Sequence, residues 1–287
     1  MKQLLILSGK GGTGKTTIAS AFIKLADAKA YGDCDVDAPN LHLIAGQSSE
    51  PAKLDYYGLP KARIDPELCS RCDLCRQNCR FDAVSAGRTY RVDPFACEGC
   101  GVCQALCPSG AITLKPAAAG ELMLYTHQER VFSTAQLKMG SGTSGKLVTE
   151  VKKQLKEAAV AAELAIIDGS PGIGCPVIAS LSGVDMVLIV AEPSLSGISD
   201  MERIINTAAK FGTKAAICIN KADTNPDHTE RIEEYCQRQE LPLVGKIPFD
   251  FAAVEAINKG LTIVDSECAS GTAAREVYNK VMNLITM

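Results

Sequence analysis

Short apolar runs recur along the chain, separated by stretches whose apolar residues return every three or four positions. Leu4–Leu7 is such a run; it ends in glycines and gives way to a helical stretch, Thr16–Leu25. Leu164–Ile167 closes on Asp168, and Met186–Val190, Ala215–Ile219 and Leu243–Ile247 read as further strands. Helical spacing fills the gaps at Ile198–Lys210 and Glu230–Gln239, and Ala273–Ile285 reads as a closing helix. Strands alternating with helices predict an α/β fold, a mostly parallel sheet covered by helices on both faces. The pattern breaks where eight of the thirteen cysteines fall between Cys69 and Cys107, with Pro60 and Pro116 near the ends of the block. The expected organisation is therefore one discontinuous domain, residues 1–60 and 117–287, interrupted by a small α+β domain at 61–116.

Composition narrows the classes. Of 287 residues, 46% are hydrophobic and 22% charged, which suits a soluble globular chain. The net charge of −3 comes with no basic block, so nucleic acid is not an expected partner. Charges such as Glu163 and Asp185 interrupt the apolar runs, and Met1–Ser8 lacks the long apolar core of a signal peptide. The expectation is a cytoplasmic protein, not a membrane one, whose cysteines serve a metal centre rather than disulfides.

"GKGGTGKTT", Gly9 to Thr17, follows the first predicted strand and opens the first predicted helix. Gly9, Gly14, Lys15 and Thr16 satisfy G-x-x-x-x-G-K-[ST], with Gly11, Gly12 and Thr13 between them and Thr17 after. Glycines let backbone N–H groups turn toward a β-phosphate, and the helix N-terminus adds partial positive charge. Lys15 is placed to reach the β- and γ-phosphates of ATP or ADP, and Thr16 to ligate Mg²⁺. The loop carries a second lysine, Lys10, which a phosphate loop does not need; it is either a solvated side chain or a residue with a further role.

With "KGGTGKT" the chain resembles the deviant P-loop ATPases, the group of MinD, ParA and the nitrogenase iron protein. The resemblance implies that Lys10 reaches across an ATP-dependent homodimer to the other subunit's nucleotide. "GDCDVDAP", Gly32 to Pro39, resembles switch I of that group, which implies that Asp35 orients the attacking water and that Asp37 lies near Mg²⁺. "IIDGSPGIG", Ile166 to Gly174, resembles switch II, with Asp168 facing Mg²⁺ through water. "CINKAD", Cys218 to Asp223, and "IPFD", Ile247 to Asp250, resemble the adenine-side segments, implying base contacts from Asn220 and from Ile247, Pro248 and Phe249. Helix capping after a strand is the structural alternative for Asp35, Asp37 and Asp168.

Cys69-x₂-Cys72-x₂-Cys75-x₃-Cys79 is followed by Cys97-x₂-Cys100-x₂-Cys103-x₃-Cys107-Pro108. This is the run of bacterial two-cluster ferredoxins, present twice, in which the fourth cysteine ligates the other cluster. The pattern assigns Cys69, Cys72, Cys75 and Cys107 to one [4Fe–4S] cluster and Cys97, Cys100, Cys103 and Cys79 to a second, in a ferredoxin-like insert. Zinc is the alternative that paired C-x₂-C motifs allow. One departure is Arg80, which stands after Cys79 where the pattern has proline; beside a cluster its charge would raise the potential, and it could equally point to water. Cys175 lies at the end of switch II, where the nitrogenase iron protein has a ligand of a cluster shared between subunits. The second ligand loop of that arrangement corresponds here to Gly140–Gly145, which holds no cysteine. The reading that joins these signals is an ATPase whose nucleotide state and dimerisation couple to electron transfer with a redox donor or acceptor protein. An ATP-dependent Fe–S carrier or scaffold, and a positioning ATPase, are the alternatives.

Overall fold

The computed structural model describes residues 1–44 and 49–286. The chain begins with β1 (Lys2–Leu7), α1 (Lys15–Leu25), β2 (Ala30–Asp33), α2 (Leu41–Ile44) and β3 (Ala52–Tyr57). A segment of short elements follows: β4 (Lys61–Ile64), α3 (Leu74–Gln77), β5 (Val84–Ser85), β6 (Arg91–Val92), α4 (Val102–Ala105) and β7 (Ile112–Lys115). The alternating pattern then resumes with β8 (Ala118–His127), β9 (Arg130–Leu137), α5 (Ser144–Ala158), β10 (Leu164–Asp168), α6 (Cys175–Leu181), β11 (Met186–Ala191) and α7 (Leu195–Lys210). It closes with β12 (Lys214–Asn220), α8 (Pro226–Arg238), β13 (Leu243–Ile247), α9 (Phe251–Asn258) and α10 (Ala269–Thr286).

The main sheet runs β13-β12-β11-β1-β10-β2-β9-β8-β3. From β13 to β9 every neighbouring pair is parallel. At the other edge β8 and β3 are antiparallel, so the expected parallel sheet gains a two-strand antiparallel border. Successive residues of β1 serve opposite layers: Leu5 and Leu7 pack with Val148, Val151 and Ile204, while Leu4 and Ile6 pack with Ile18, Phe22 and Val277. All four are 0% exposed, and burying each contributes about 1.5–3 kcal/mol. A strand covered on both faces reads as an unbroken apolar run, which is why β1, β10 and β11 stand out in the sequence.

α7 and α8 begin before their apolar repeats do. The Ser194 hydroxyl accepts the Gly197 N–H at 3.1 Å, and the Asn225 side chain accepts the His228 N–H at 3.1 Å with Pro226 in the first turn.

The segment between β4 and β7 is closed at its base by their antiparallel pairing, Lys61 opposite Lys115. It has its own apolar cluster of Ala62, Ile64, Ala83, Val84, Cys97 and Ile112, against which five more of the block's cysteines pack. A core this small does not sustain an independent unit by apolar burial alone.

Candidate functional site

The C-terminal ends of the parallel strands converge on the loop after β1. Gly12 (φ 80°) and Gly14 (φ 94°) hold it in left-handed conformations that favour glycine. The Asn220 side-chain amide donates to the Thr13 carbonyl at 2.7 Å, and Lys221 Nζ donates to the Gly12 carbonyl at 3.0 Å. A Cβ on Gly14 would lie 2.2 Å from Asn220 Nδ2, so β12 braces this loop as well as flanking it. Lys15 is buried and donates to Asp168 Oδ1 at 2.6 Å; Thr16 Oγ1 donates to Asp168 Oδ2 at 2.6 Å. Burial opposes the Lys15 charge, but the carboxylates of Asp168, Asp33 and Asp35 outweigh it and hold the ammonium pKa above its ordinary value.

The structure adds a carboxylate that sequence reasoning passed over. β2 lies beside β10 with Asp33 opposite Asp168, and both are 0% exposed. Asp33 accepts the N–H groups of Asp35 (2.9 Å), Asn40 (2.9 Å) and Leu41 (3.0 Å). Burial, then the neighbouring Asp168 charge, push its pKa up to about 7. Asp35 is half-buried; burial first, with the charges of Asp168 and Asp37 against the pull of Lys15, raises its pKa too. Asp37 is exposed, and its carbonyl accepts from the Gln136 amide at 3.2 Å. The Ile166–Gly174 segment is tied to the ends of β1 and β2: Gly172 N–H donates to the Ser8 carbonyl at 3.1 Å, and the Ser170 hydroxyl donates to the Cys34 carbonyl. A cation would relieve the mutual repulsion of Asp33 and Asp168.

The cysteine runs ring two cavities. Cys69, Cys72, Cys75 and Cys107 line one, and Cys97, Cys100, Cys103 and Cys79 line the other, so each run sends its fourth cysteine to the other's cavity. The loops repeat each other in backbone as well as in spacing. Arg71 and Gly99, Asp73 and Gly101, and Asp82 and Gly110 occupy equivalent positions, and all six have positive φ. Left-handed residues alternating with ordinary ones turn successive N–H groups inward, an arrangement that suits a thiolate-bound anionic group. Burial would raise the Cys107 thiol, but the Ser109 hydroxyl and the N–H groups of Ala111, Ser109 and Gly110 hold it below its usual value. Among the described residues, no three or more His, Cys, Asp or Glu side chains are close enough together to hold a single metal ion.

Residues 4–263 match the CobQ/CobB/MinD/ParA nucleotide-binding domain. The chain belongs to that family. It is a MinD/ParA-type P-loop ATPase. An uncharacterised protein of Methanocaldococcus jannaschii is 32% identical over 99% of this chain and 97% of its own length. An uncharacterised ATP-binding protein of the same organism is 24% identical over 97% of this chain and 87% of its own. The septum site-determining protein MinD of Pyrococcus horikoshii, solved as a complex with Mg-ADP, superposes with a TM-score of 0.60 at 18% identity, covering 99% of this chain and 96% of that one.

In this MinD/ParA-type ATPase Lys10 turns toward its own chain. Its Nζ lies 3.2 Å from Ser196 Oγ, 3.3 Å from Ser194 Oγ and 3.9 Å from Glu192 Oε1. Glu192 Oε2 in turn lies 3.6 Å from Lys221 Nζ. Asp223 accepts the Phe249 N–H at 2.7 Å and the Ala222 N–H donates to the Ile247 carbonyl at 3.0 Å, joining the Cys218–Asp223 and Ile247–Asp250 segments. A cleft lined by Ala222, Asp223, Thr229, Lys246 and Pro248 lies between these segments and α8, while Phe249 is exposed. Cys175 is exposed at the start of α6, and a Cβ on Gly145 would lie 2.9 Å from its carbonyl oxygen.

Proposed function

We propose that this ATPase couples ATP turnover to electron transfer through two [4Fe–4S] groups, one in each cysteine cavity. The observation that carries the reading is the crossed arrangement, three thiols from one run and the fourth from the other around each cavity. Lone zinc ions fit less well: tetrahedral Zn–S bonds of about 2.3 Å draw sulfurs to about 3.8 Å from one another, and no such tight group occurs among the described residues. When bound, the two groups supply one-electron chemistry. Residues 61–116 would then be a ferredoxin-like domain inserted into an ATPase domain of 1–60 and 117–287, in a cytoplasmic protein that meets a separate redox donor or acceptor protein.

At the nucleotide, Lys15 would hold the β- and γ-phosphates, and Thr16 would ligate Mg²⁺ with Asp168 facing it through water. Asp35, half-buried, would orient the attacking water. Asp33 and Asp37 are the remaining carboxylates of that segment; the buried Asp33 is better placed than Asp37 to influence Mg²⁺. Asn220, Ile247, Pro248 and Phe249 form the base side. Lys10 of each copy completes the other copy's site in an ATP-dependent homodimer.

Iron and sulfide analysis of anaerobically purified protein tests the reading. It should show about eight of each per chain, and Cys72→Ser should damage one group and leave the other. Stoichiometric zinc without acid-labile sulfide would overturn it. A positioning ATPase is the second reading, favoured by the fold likeness to MinD. Against it, α10 is anchored to the core through Ala274, Val277, Val281 and Ile285. An Fe–S carrier would instead pass its group to an apo-protein without redox turnover.

A further inference from the structure

The internal repeat allows the two cysteine cavities to be compared position by position, and the chemistry around them differs in one direction. Cys107 Sγ lies 3.6 Å from the Ser109 hydroxyl. The residue equivalent to Ser109 in the other run is Phe81, which lines the cavity ringed by Cys79, Cys97, Cys100 and Cys103 and has nothing to donate. Cys79 Sγ accepts the Ala83 N–H at 3.4 Å. Arg71 lines the first cavity; its equivalent is Gly99. Glu98 lines the second cavity; its equivalent is Ser70.

The remaining charges do not reverse this. Asp73 also lines the first cavity, but its carboxylate is taken up by Arg76 (2.8 and 2.6 Å), the Tyr90 hydroxyl (2.8 Å) and the Gln77 amide (3.1 Å). With Arg71 the first cavity keeps an uncompensated positive charge. Lys61 Nζ donates to the Cys97 carbonyl, but no lysine or arginine lines the second cavity. Apart from Asn78, its other walls are apolar, among them Val84, Val92, Val102 and Leu114. Arg80 is exposed and lines neither cavity. Hydrogen bonds to thiolate sulfur, positive charge and polar surroundings favour the reduced, more negative state of an iron–sulfur group.

Resting on the two-cluster reading above, we infer that the cavities hold groups of different reduction potential: the Cys69/Cys72/Cys75/Cys107 cavity the higher, the Cys79/Cys97/Cys100/Cys103 cavity the lower, with Ser109 and Glu98 setting the difference. The low-potential cavity is the one against the ATPase. Glu98 Oε2 lies 3.1 Å from where a Cβ would sit on Gly142, Phe95 packs against Gly140, and Gly99 sits against the Pro60 carbonyl. Glu98 thus stands between that cavity and the loop leading into α5.

The test is an EPR-monitored redox titration of the full anaerobic chain, with iron and sulfide measured first on every variant. Wild type should show two waves separated by at least a tenfold difference in reduction equilibrium, about 59 mV for a one-electron couple. Ser109→Ala should lower only the upper wave, and Ser109→Thr should restore it. Glu98→Gln should raise only the lower wave, and Glu98→Asp should leave it near wild type. A chain that binds no iron–sulfur group defeats the underlying reading. A fully loaded chain whose waves coincide, or in which Ser109→Ala moves the lower wave or Glu98→Gln moves neither, defeats this inference and leaves that reading standing.

Discussion

Neutralising Glu192 should make ATP-dependent dimerisation easier. If Lys10 is to reach a second copy's nucleotide, it must first leave Ser194, Ser196 and Glu192 of its own chain. The Lys10–Glu192 pair spans 3.9 Å with side chains 38% and 23% exposed. Pairs that exposed contribute about 0.2–1 kcal/mol, and each serine contact of 3.2–3.3 Å adds about 0.5 kcal/mol, the low end for a neutral acceptor. Glu192→Gln therefore releases about 0.2–1 kcal/mol per copy. Two copies give about 0.4–2 kcal/mol, or a dimer Kd about 2- to 30-fold lower. Sedimentation velocity over a concentration series, with a non-hydrolysable ATP analogue and Mg²⁺, reads this directly. Glu192 also serves Lys221, which braces the phosphate loop, so nucleotide affinity must be measured alongside. Ser196→Ala is the cleaner variant, since Ser194 caps α7 and Ser196 does not; two lost contacts should tighten the dimer about 5-fold. Adding Lys10→Ala should erase both gains. If Lys10→Ala abolishes dimerisation while Glu192→Gln and Ser196→Ala dimerise no better than wild type, these residues do not restrain Lys10.

Lys15→Ala should abolish tight nucleotide binding in calorimetry and also lower the melting temperature of the nucleotide-free protein, because it strands the Asp168 carboxylate in a buried site, a loss of about 3–5 kcal/mol. Asp33, with its pKa pushed up from 3.8 to about 7, keeps a proton in the folded chain that the unfolded chain releases. Its contribution to stability is therefore complete at low pH and lost as pH rises toward 7. In thermal melts the advantage of wild type over Asp33→Asn should shrink between pH 5 and pH 8, and an advantage that grows would refute the assignment. Gly145→Val should weaken any nucleotide-dependent shift of the cluster potentials, expected at about 40–130 mV for a coupling of 1–3 kcal/mol, while leaving ATP affinity unchanged.

β1, β10, β11 and β12 were legible as apolar runs because they are largely buried on both faces. β2, β3, β8 and β9 were not. β9 places Ser133 and Thr134 at buried positions, and β3 buries only Tyr56 of its six side chains, so neither shows an apolar run or a clean alternation. Their strand character comes from pairing, β9 on β2 and β3 on β8, which lies in the fold rather than in any local pattern.

The site residues divide along the same line. The phosphate loop and the cysteine runs were legible because their chemistry depends on spacing along the chain. Asp33, Asp35 and Asp37 alternate, and alternation alone would put all three on one strand face. β2 ends at Asp33, however, and the chain then turns, with the Ala38 N–H donating to the Asp35 carbonyl. Only the register of β2 on β10 shows that Asp33 meets Asp168. The two cysteine runs pose the converse problem, equal spacing with unequal chemistry. At three equivalent left-handed positions the second run has Gly99, Gly101 and Gly110, and the first has Arg71, Asp73 and Asp82. Aspartate tolerates that conformation, and Asp73 is held in it by its hydrogen bonds. Arg71 has no such excuse: an arginine there carries backbone strain of order 1 kcal/mol that glycine would avoid. At the wall of a thiol-lined cavity that arginine brings a positive charge that glycine would not.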